Sequence, residues 1–241
     1  MSLEIIPVPV SREVEPDDKI ENLIKTDLQD CDVIIVSQKI ISKQEGRIIQ
    51  LDSVIPSLLS VGIASEYEKD PKLVEVILAE SKRIVRMKDG ILIVETHHGF
   101  VCANAGIDES NVPKGLVTLL PKNPDESASR LRRKLLEKTG KQVAVIISDT
   151  FGRPHRMGQT DCAIGISGIE PIIDYEGVED KFGKKLRVTA IAIADEMCSA
   201  AELVRKKTRN TPIAIIRNYK FSSNSGTVKD LIRPKNQDMF R

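Results

Sequence analysis

A carboxylate and a hydroxyl stand side by side just after an apolar run, where Asp149-Thr150 follow Val143–Ile147. At the carboxyl end of a strand, this pair commonly holds Mg²⁺ or Mn²⁺ against phosphate oxygens. Arg153 and Arg156 come next, and their guanidinium groups suit phosphate or carboxylate. The alternative is a solvent-exposed loop with ordinary Arg–Asp pairing. We favour a functional loop, because its two glycines, two arginines and one histidine have no packing role that we can name.

A second polar segment, Asn104–Asn111, follows the apolar stretch Phe100–Ala103. Small residues after a strand permit a sharp turn, and Asp108 and Asn111 then present oxygen atoms to a hard cation or to phosphate. An Asx turn, in which Asp and Asn bond their own backbone, explains the same residues. Taken alone, the segment favours the Asx turn.

A third polar segment, Gln38–Arg47, follows the apolar run Asp32–Val36. Its Lys43 suits a point-charge contact with phosphate. The alternative is a solvated Lys–Glu pair, worth at most about 1 kcal/mol, and composition does not separate the two. The phosphate-loop pattern G-x-x-x-x-G-K-[ST] and the dinucleotide pattern G-x-G-x-x-G are both absent from the sequence. A nucleotide site here must therefore be built in another way.

Strands and helices must bring these three segments together. The alternation of apolar, strand-like runs with helix-like segments predicts a mixed α/β protein, and hairpin-like pairs argue against a purely parallel, doubly wound sheet. Acidic residues at its start favour a helix over Asp17–Leu28. Asp70-Pro71 begins another helix, as N-cap and first helical residue, with an apolar face from Leu73 to Ile84. The other predicted elements are strands over Leu3–Val8, Gly90–Glu95, Leu186–Ala194 and Ile213–Arg217, and helices from Pro124 to just before Gly140 and over Asp195–Lys206.

The composition argues against several classes of protein. The 241 residues carry a net charge of +1, and aromatic residues make up only 3%, so a dedicated nucleic-acid-binding protein is not expected. No apolar run is long enough to cross a bilayer, and the N-terminus lacks the pattern of a signal peptide. The four cysteines are widely spaced without a C-x-x-C pair, which indicates reduced thiols in a cytoplasmic protein.

Five short motifs follow one another along the chain: Ser42-Lys43-x-Glu45-Gly46-Arg47, Asn104-Ala105-Gly106-Ile107-Asp108-x-Ser110-Asn111, Asp149-Thr150-x-Gly152-Arg153-x-x-Arg156-x-Gly158, Ala163-Ile164-Gly165, and Val188-Thr189 followed by Ala194-Asp195-Glu196. In this order they resemble the coenzyme F420-0:L-glutamate ligase family, the GTP-dependent γ-glutamyl ligases of deazaflavin coenzyme biosynthesis. The resemblance extends from about Leu3 to Arg217. The combination is specific, although each motif alone is not.

The resemblance implies a fold and a reaction. The fold is the unusual F420-0 γ-glutamyl ligase-like fold, with mixed and antiparallel sheets, in an intertwined homodimer. Residues 1–241 then form one such unit, and a division into two structural subdomains stays open. The reaction adds L-glutamate to F420-0 through a γ-linked amide. GTP first phosphorylates a carboxylate of F420-0, the amine of glutamate attacks the acyl phosphate, and GDP and phosphate are released. The resemblance also implies one or two Mg²⁺ or Mn²⁺ ions.

The same resemblance implies roles for individual residues. Asp108 and Asp149 are expected to bind one divalent cation, and Thr150 a second. The nucleotide contacts are expected at Gln38, Lys39, Lys43 and Asn111. Arg153 and Arg156 are our own inference as catalytic residues that hold the phosphates or an acidic substrate.

Two departures from the family pattern leave alternatives open. Lys207 stands where the family carries an acidic or amide ligand for the second metal, and a cation cannot ligate Mg²⁺ or Mn²⁺. The N-terminal nucleotide segment also departs, as Pro9-Val10-Ser11-Arg12-Glu13. One alternative is a divergent ligase that joins an amino acid to another acid. The other is a nucleotide- or coenzyme-binding homologue with reduced or lost catalysis. The pattern does not choose between GTP and ATP, or between Mg²⁺ and Mn²⁺.

Overall fold

The computed structural model, which describes residues 2–206, 210–223 and 226–238, is a mixed α/β protein, and this confirms the predicted fold class. Lys207 lies outside the described residues. In chain order the elements are β1 (Glu4–Val8), β2 (Val33–Ser37), α1 (Gln38–Gln44), β3 (Ile48–Gln50), α2 (Leu58–Tyr67), α3 (Pro71–Ala79), β4 (Ser81–Lys88), β5 (Ile91–Thr96), β6 (Val101–Ala103), β7 (Leu116–Thr118), α4 (Pro124–Thr139), β8 (Ala144–Arg153), β9 (Arg156–Ser167), β10 (Ile173–Asp174), β11 (Ala190–Ile191), α5 (Ile193–Arg205) and β12 (Ile213–Arg217).

A five-stranded sheet in the order β1-β12-β2-β8-β9 forms the centre of the larger hydrophobic cluster. Its inner strands are continuous apolar runs, such as Val33–Val36, because both faces of the sheet are covered. Helix α4 packs against β8 and β9, and α5 packs against β9, β1 and β12. Only β2 and β8 are parallel among these five strands, with Ser37 opposite Ser148. The carboxyl end of β2 therefore lies beside Ser148, from which β8 continues to Arg153.

A second hydrophobic cluster lies under α2 and α3 and against the antiparallel sheet β4-β5-β6. Helix α3 begins as predicted, because Asp70 Oδ1 accepts a hydrogen bond from Lys72 N at 2.8 Å and Pro71 occupies the first turn. The pattern predicts Ile84 on the apolar face of this helix, but the residue lies in β4. The paired strands β3 and β7 also contribute to this cluster. None of the helices in the described residues is long and apolar enough to cross a membrane.

Two predicted elements are wrong. The described residues 17–28 contain a single 3-10 turn, Ile20–Asn22, instead of a helix. The buried residues of the whole segment, Ile20, Ile24 and Leu28, are spaced as in a helix. The irregular backbone nevertheless buries all three side chains. The strand predicted over residues 186–194 is reduced to β11. Among the described residues, β11 pairs only with the two-residue β10.

The segment 148–161 is a β-hairpin rather than the predicted loop. Strands β8 and β9 continue to pair from Ser148 opposite Ala163 out to Arg153 opposite Arg156. The turn holds His155 at φ +60°. The hairpin carries Asp149 and Thr150 on a rigid ladder instead of a free loop.

Candidate active site

A cavity of about 580 Å³ opens at the five-stranded sheet where β2 ends and β8 continues past Ser148 into its hairpin with β9. Ser37 and Ser148, which pair across these two strands, both line it. Segment 10–14 after β1, the end of α5 and residues 210–212 before β12 also contribute to the wall. Crevices beyond the carboxyl ends of parallel strands are common ligand sites in α/β proteins. The topology thus places this cavity where a ligand site is expected.

All seven residues that are expected to contact a cation or a nucleotide line this cavity. Three arrive with the end of β2 and with α1, two lie on the loop after β6, and two lie on β8. They are Gln38, Lys39, Lys43, Asp108, Asn111, Asp149 and Thr150. The parallel pairing of β2 with β8 brings the first and last of these groups together, although about a hundred residues separate them in the chain.

Lys39 pairs with Asp108 across the cavity wall. The Lys39 Nζ lies 2.7 Å from Asp108 Oδ2 and donates to Ser110 Oγ at 2.7 Å. The Ser110 amide donates to Asp108 Oδ1 at 2.6 Å. Burial alone would raise the pKa of Asp108, but the hydrogen bonds from Lys39 and Ser110 outweigh it, so the pKa is lowered. The carboxylate of Asp108 is therefore ionised and paired with the ammonium group of Lys39.

Lys43 and Gln38 lie on α1, and hydrogen bonds hold both side chains in place. The Lys43 Nζ is buried, lies 2.5 Å from Glu13 Oε2 and donates to the carbonyl oxygen of Asn111 at 2.8 Å. Gln38, also buried, accepts a hydrogen bond from Ser42 Oγ at 2.8 Å. The Lys43 contact joins α1 to the segment after β6, and the acidic partner comes from the N-terminal segment. The ammonium group is thus held at a junction of three chain segments.

Asp161 and Arg205 are two cavity residues that sequence reasoning missed. Asp161 lies opposite Thr150 in the β8–β9 ladder, and its Oδ1 accepts a hydrogen bond from Thr150 Oγ1 at 2.7 Å. The Arg205 Nη2 donates to Asp161 Oδ2, and both side chains are 5% exposed. A regular hairpin that turns at Pro154-His155 would place Gln159 opposite Thr150, but a register shift between Gly152 and Arg153 places Asp161 there instead. Residue types alone do not predict that shift, so the sequence contains no direct signal for Asp161.

Arg153 and Arg156 lie at the end of the hairpin, and neither belongs to the wall of this cavity. Arg153 Nη2 donates to the carbonyl oxygen of Met157 at 2.9 Å, which closes the turn. Arg156 is exposed. The structure thus separates these two arginines from the seven residues that meet in the cavity.

The donor set suits a hard cation that arrives with phosphate. Among the described residues, no group of three or more His, Cys, Asp or Glu side chains is placed to hold a metal ion. The cavity instead offers Asp108, Asp149 and the hydroxyl of Thr150. Mg²⁺ is usually held by one or two carboxylates together with substrate phosphates and water. The residues therefore fit an ion that completes its coordination with ligand oxygens.

The buried thiols do not add a nucleophile to this site. Burial raises the pKa of Cys102 to about 12 and that of Cys162 to about 11, with Asp149 adding to both shifts. Both thiols stay protonated near neutral pH, and the thiolate is the reactive form. The chemistry of the cavity thus belongs to its carboxylates, amines and hydroxyls.

Comparison with known proteins gives a consistent result. The family model described as F420-0:Gamma-glutamyl ligase matches residues 11–218. A protein named coenzyme F420:L-glutamate ligase from Methanocaldococcus jannaschii is 47% identical, over 89% of this chain and 86% of the relative. Proteins of the same name from Methanothermobacter thermautotrophicus and Methanopyrus kandleri are 48% and 42% identical, over 89% and 100% of this chain and 86% and 98% of the relatives.

Proposed function

The chain belongs to the F420-0:gamma-glutamyl ligase family, and on this premise we propose that it is a ligase that adds L-glutamate to coenzyme F420-0 through a γ-linked amide. GTP and a divalent cation drive the reaction in this proposal. The observation that carries it is the convergence of all seven expected ligand residues on one cavity. The pairing of β2 with β8 brings the residues of α1 and those of β8 to this cavity, although they are far apart in the chain.

The carboxylates of Asp108 and Asp149 hold one Mg²⁺ or Mn²⁺ ion in this proposal, and the hydroxyl of Thr150 faces a second. A bound divalent ion supplies neutralisation of phosphate charge and a template for the reacting groups. Lys39 contacts Asp108 Oδ2, so the ammonium group and the ion would compete for this oxygen atom. The lowered pKa of Asp108 supports this role, since the carboxylate is ionised when the cation arrives.

Lys39, Lys43, Gln38 and Asn111 contact the nucleotide in this proposal. The two ammonium groups suit phosphate oxygens, and their present partners are carboxylates of the cavity wall. The protein needs to supply little covalent chemistry, because phosphoryl transfer depends mainly on alignment and charge neutralisation. The fixed geometry of α1 beside β8 supports that task.

The reaction proceeds in two balanced steps. A carboxylate oxygen of F420-0 attacks the terminal phosphorus of GTP, the bond to the bridging oxygen breaks, and GDP leaves. The amine nitrogen of glutamate then attacks the carbonyl carbon of the acyl phosphate. An amide forms, phosphate leaves, and the amine gives up a proton to solvent.

We propose that the protein is a homodimer, in which Arg153 and Arg156 contribute to the active site of the partner. They lie on an exposed hairpin end beside Met157, which is 95% exposed. A second copy that covers this end would bury the methionine and bring the arginines to the partner's phosphates or acidic substrate. Sedimentation is expected to give twice the 26.7 kDa mass of the chain. A monomer would leave both arginines without a catalytic role.

The cytoplasm is the compartment that we propose. All four cysteines, which lie in the described part of the chain, are unpaired. Free thiols suit a reducing environment.

The direct test is a ligation assay. The protein is incubated with F420-0, GTP, Mn²⁺ and L-glutamate, and the product is weighed by mass spectrometry. We expect a mass increase of one glutamyl unit and release of GDP and phosphate, with the Methanocaldococcus jannaschii relative as positive control. Unchanged F420-0 beside an active control would contradict the proposal. Tight GTP binding without product would favour the homologue without catalysis.

A further inference from the structure

Asp161 lies in the wall of the cavity, and both oxygens of its carboxylate accept hydrogen bonds. Oδ1 accepts from Thr150 Oγ1 at 2.7 Å, and Oδ2 accepts from Arg205 Nη2. The backbone carbonyl of Asp161 accepts from Ser199 Oγ at 2.9 Å. The residue thus joins β9 to β8 on one side and to α5 on the other. All three side chains of the Thr150–Asp161–Arg205 group line the cavity.

The direction of the hydrogen bond from Thr150 determines what that hydroxyl can offer a ligand. A threonine hydroxyl has one hydrogen to donate and an oxygen that can accept. An ionised carboxylate can only accept, so the hydrogen of Thr150 must point toward Asp161. The oxygen of Thr150 then presents lone pairs, and not its hydrogen, in other directions. In that orientation the oxygen can bind a cation, whereas a hydrogen aimed into the cavity would oppose cation binding.

Arg205 determines the orientation of the carboxylate. Its guanidinium group has donors only, and it stands against Oδ2 with the whole side chain buried. An uncharged amide at position 161 would turn its oxygen toward Arg205 and its NH₂ toward Thr150. The hydroxyl would then accept from the amide and aim its hydrogen into the cavity. The arginine therefore makes this position sensitive to a change from carboxylate to amide.

We propose that Asp161 is a positioning residue that orients the Thr150 hydroxyl as a cation ligand, with Arg205 as its fixed counter-charge. The inference rests on the proposed function, because it assigns a purpose to Thr150 within that site. Groups that orient a metal ligand in this way typically change metal affinity about 10- to 100-fold when they are altered.

A second ion pair, between buried Asp32 and half-buried Arg217, provides a control. Asp32 is buried and accepts from Arg217 Nε at 2.9 Å and Nη2 at 2.8 Å, in the same sheet but outside the cavity. Breaking either pair leaves a guanidinium group that is largely shielded from water without its carboxylate, which destabilises a protein. Only the pair in the cavity is expected to affect cation binding as well. The substitution Asp32→Asn therefore separates a structural effect from a positioning effect.

The experiment measures Mn²⁺ affinity by electron paramagnetic resonance with GDP present and without turnover. Asp161→Asn and Thr150→Val are each expected to weaken Mn²⁺ binding about 10- to 100-fold. The double variant is expected to bind Mn²⁺ no more weakly than Thr150→Val alone, because Asp161 acts through that hydroxyl. Thr150→Ser is expected to retain binding, and Asp32→Asn to lose stability with Mn²⁺ affinity unchanged.

Several results would overturn the inference. It fails if Asp161→Asn changes Mn²⁺ affinity no more than Asp32→Asn does, or if the two losses add in the double variant. Thr150→Val leaves the Asp161–Arg205 pair in place, so it tests the inference even if Asp161→Asn does not fold. Unchanged binding by Thr150→Val also overturns it. A wild-type protein that fails to bind Mn²⁺ with GDP would instead refute the proposed function.

Discussion

At the scale of single residues, three of the carboxylates around the cavity are paired with cationic side chains. Lys39 pairs with Asp108, Lys43 with Glu13, and Arg205 with Asp161. Unpaired charges are costly when they are shielded from water. A ligand that carries both a divalent cation and phosphate groups can exchange partners with these pairs, so that no charge is left without a counter-charge. This arrangement favours joint binding of cation and nucleotide over binding of either one alone.

The exchange of partners at Asp108 predicts opposite effects of Lys39→Met on the two ligands. Mn²⁺ alone should bind about tenfold more tightly, because the competing ammonium group is removed. The corresponding change in binding free energy is only part of the roughly 4 kcal/mol of Coulomb energy between two unit charges about 4 Å apart near a protein surface. GTP should bind about tenfold more weakly, because a charge-assisted contact to phosphate is lost. Calorimetric titration of each ligand alone measures both effects.

A surface lysine controls for the change in net charge. Lys72 lies on α3, outside the cavity, and its Nζ is 3.3 Å from Asp52 Oδ1. Lys72→Met should leave both affinities unchanged. Weaker Mn²⁺ binding by Lys39→Met would show that the lysine does not compete with the cation.

At the scale of elements, the site depends on close packing of β9 against the start of α4. A Cβ atom on Gly165 would lie 2.5 Å from the carbonyl carbon and oxygen of Pro124. We expect Gly165→Ala to lower the free energy of unfolding by about 1–3 kcal/mol, because neither backbone can move aside easily. Gly152 lies on the same hairpin, and a methyl group added there would meet nothing within 4 Å. Gly152→Ala should therefore have little effect in the same urea titration, and equal losses would contradict this account.

The contact between α5 and β9 predicts a dependence of stability on pH. Asp195 Oδ1 accepts from Ala163 N at 2.8 Å, beside a bulge in the β8–β9 ladder. Burial raises the pKa of Asp195 above its usual 3.8, although the Ala163 amide opposes the shift. The folded state therefore binds the proton of the Asp195 carboxyl group more tightly than the unfolded state does. The protonated group stabilises the fold below pH 3.8, and this stabilisation is lost as pH rises through the raised pKa.

Asp195→Asn removes this titration and keeps an acceptor for Ala163. The variant should gain stability relative to the wild type as pH rises above 3.8. Urea unfolding of both proteins at a series of pH values measures the difference. A difference that stays constant with pH would refute the assigned cause.

At the scale of the whole molecule, the cavity draws on both hydrophobic clusters. The segment that carries Asp108 follows Ala105 and Ile107, which pack in the cluster under α2 and α3. The segments that carry Asp149 and Thr150 belong to the five-stranded sheet of the larger cluster. The relative placement of Asp108, Asp149 and Thr150 therefore depends on how both clusters pack.

Local signals in the sequence predicted elements better than they predicted their arrangement. Asp70-Pro71 and Pro124 marked two helix starts correctly, because capping is a local interaction. The order of strands could not be predicted, since apolar runs such as Val33–Val36 pair equally well with many others. Residue types after apolar runs indicated Lys43, Asp108, Asn111, Asp149 and Thr150, whereas Gln38, Lys39 and the specific ligand roles came from the family resemblance. Asp161 was missed because its role depends on the hairpin register.

In the proposed function, Asp108 and Asp149 bind one hard cation within this cavity. The most direct test is a crystal grown with GDP and Mn²⁺ and measured for anomalous scattering. We expect a peak within coordination distance of both carboxylates, with Lys39 displaced from Asp108. A peak elsewhere, or a cavity that holds GDP while Asp108 remains paired with Lys39, would contradict it.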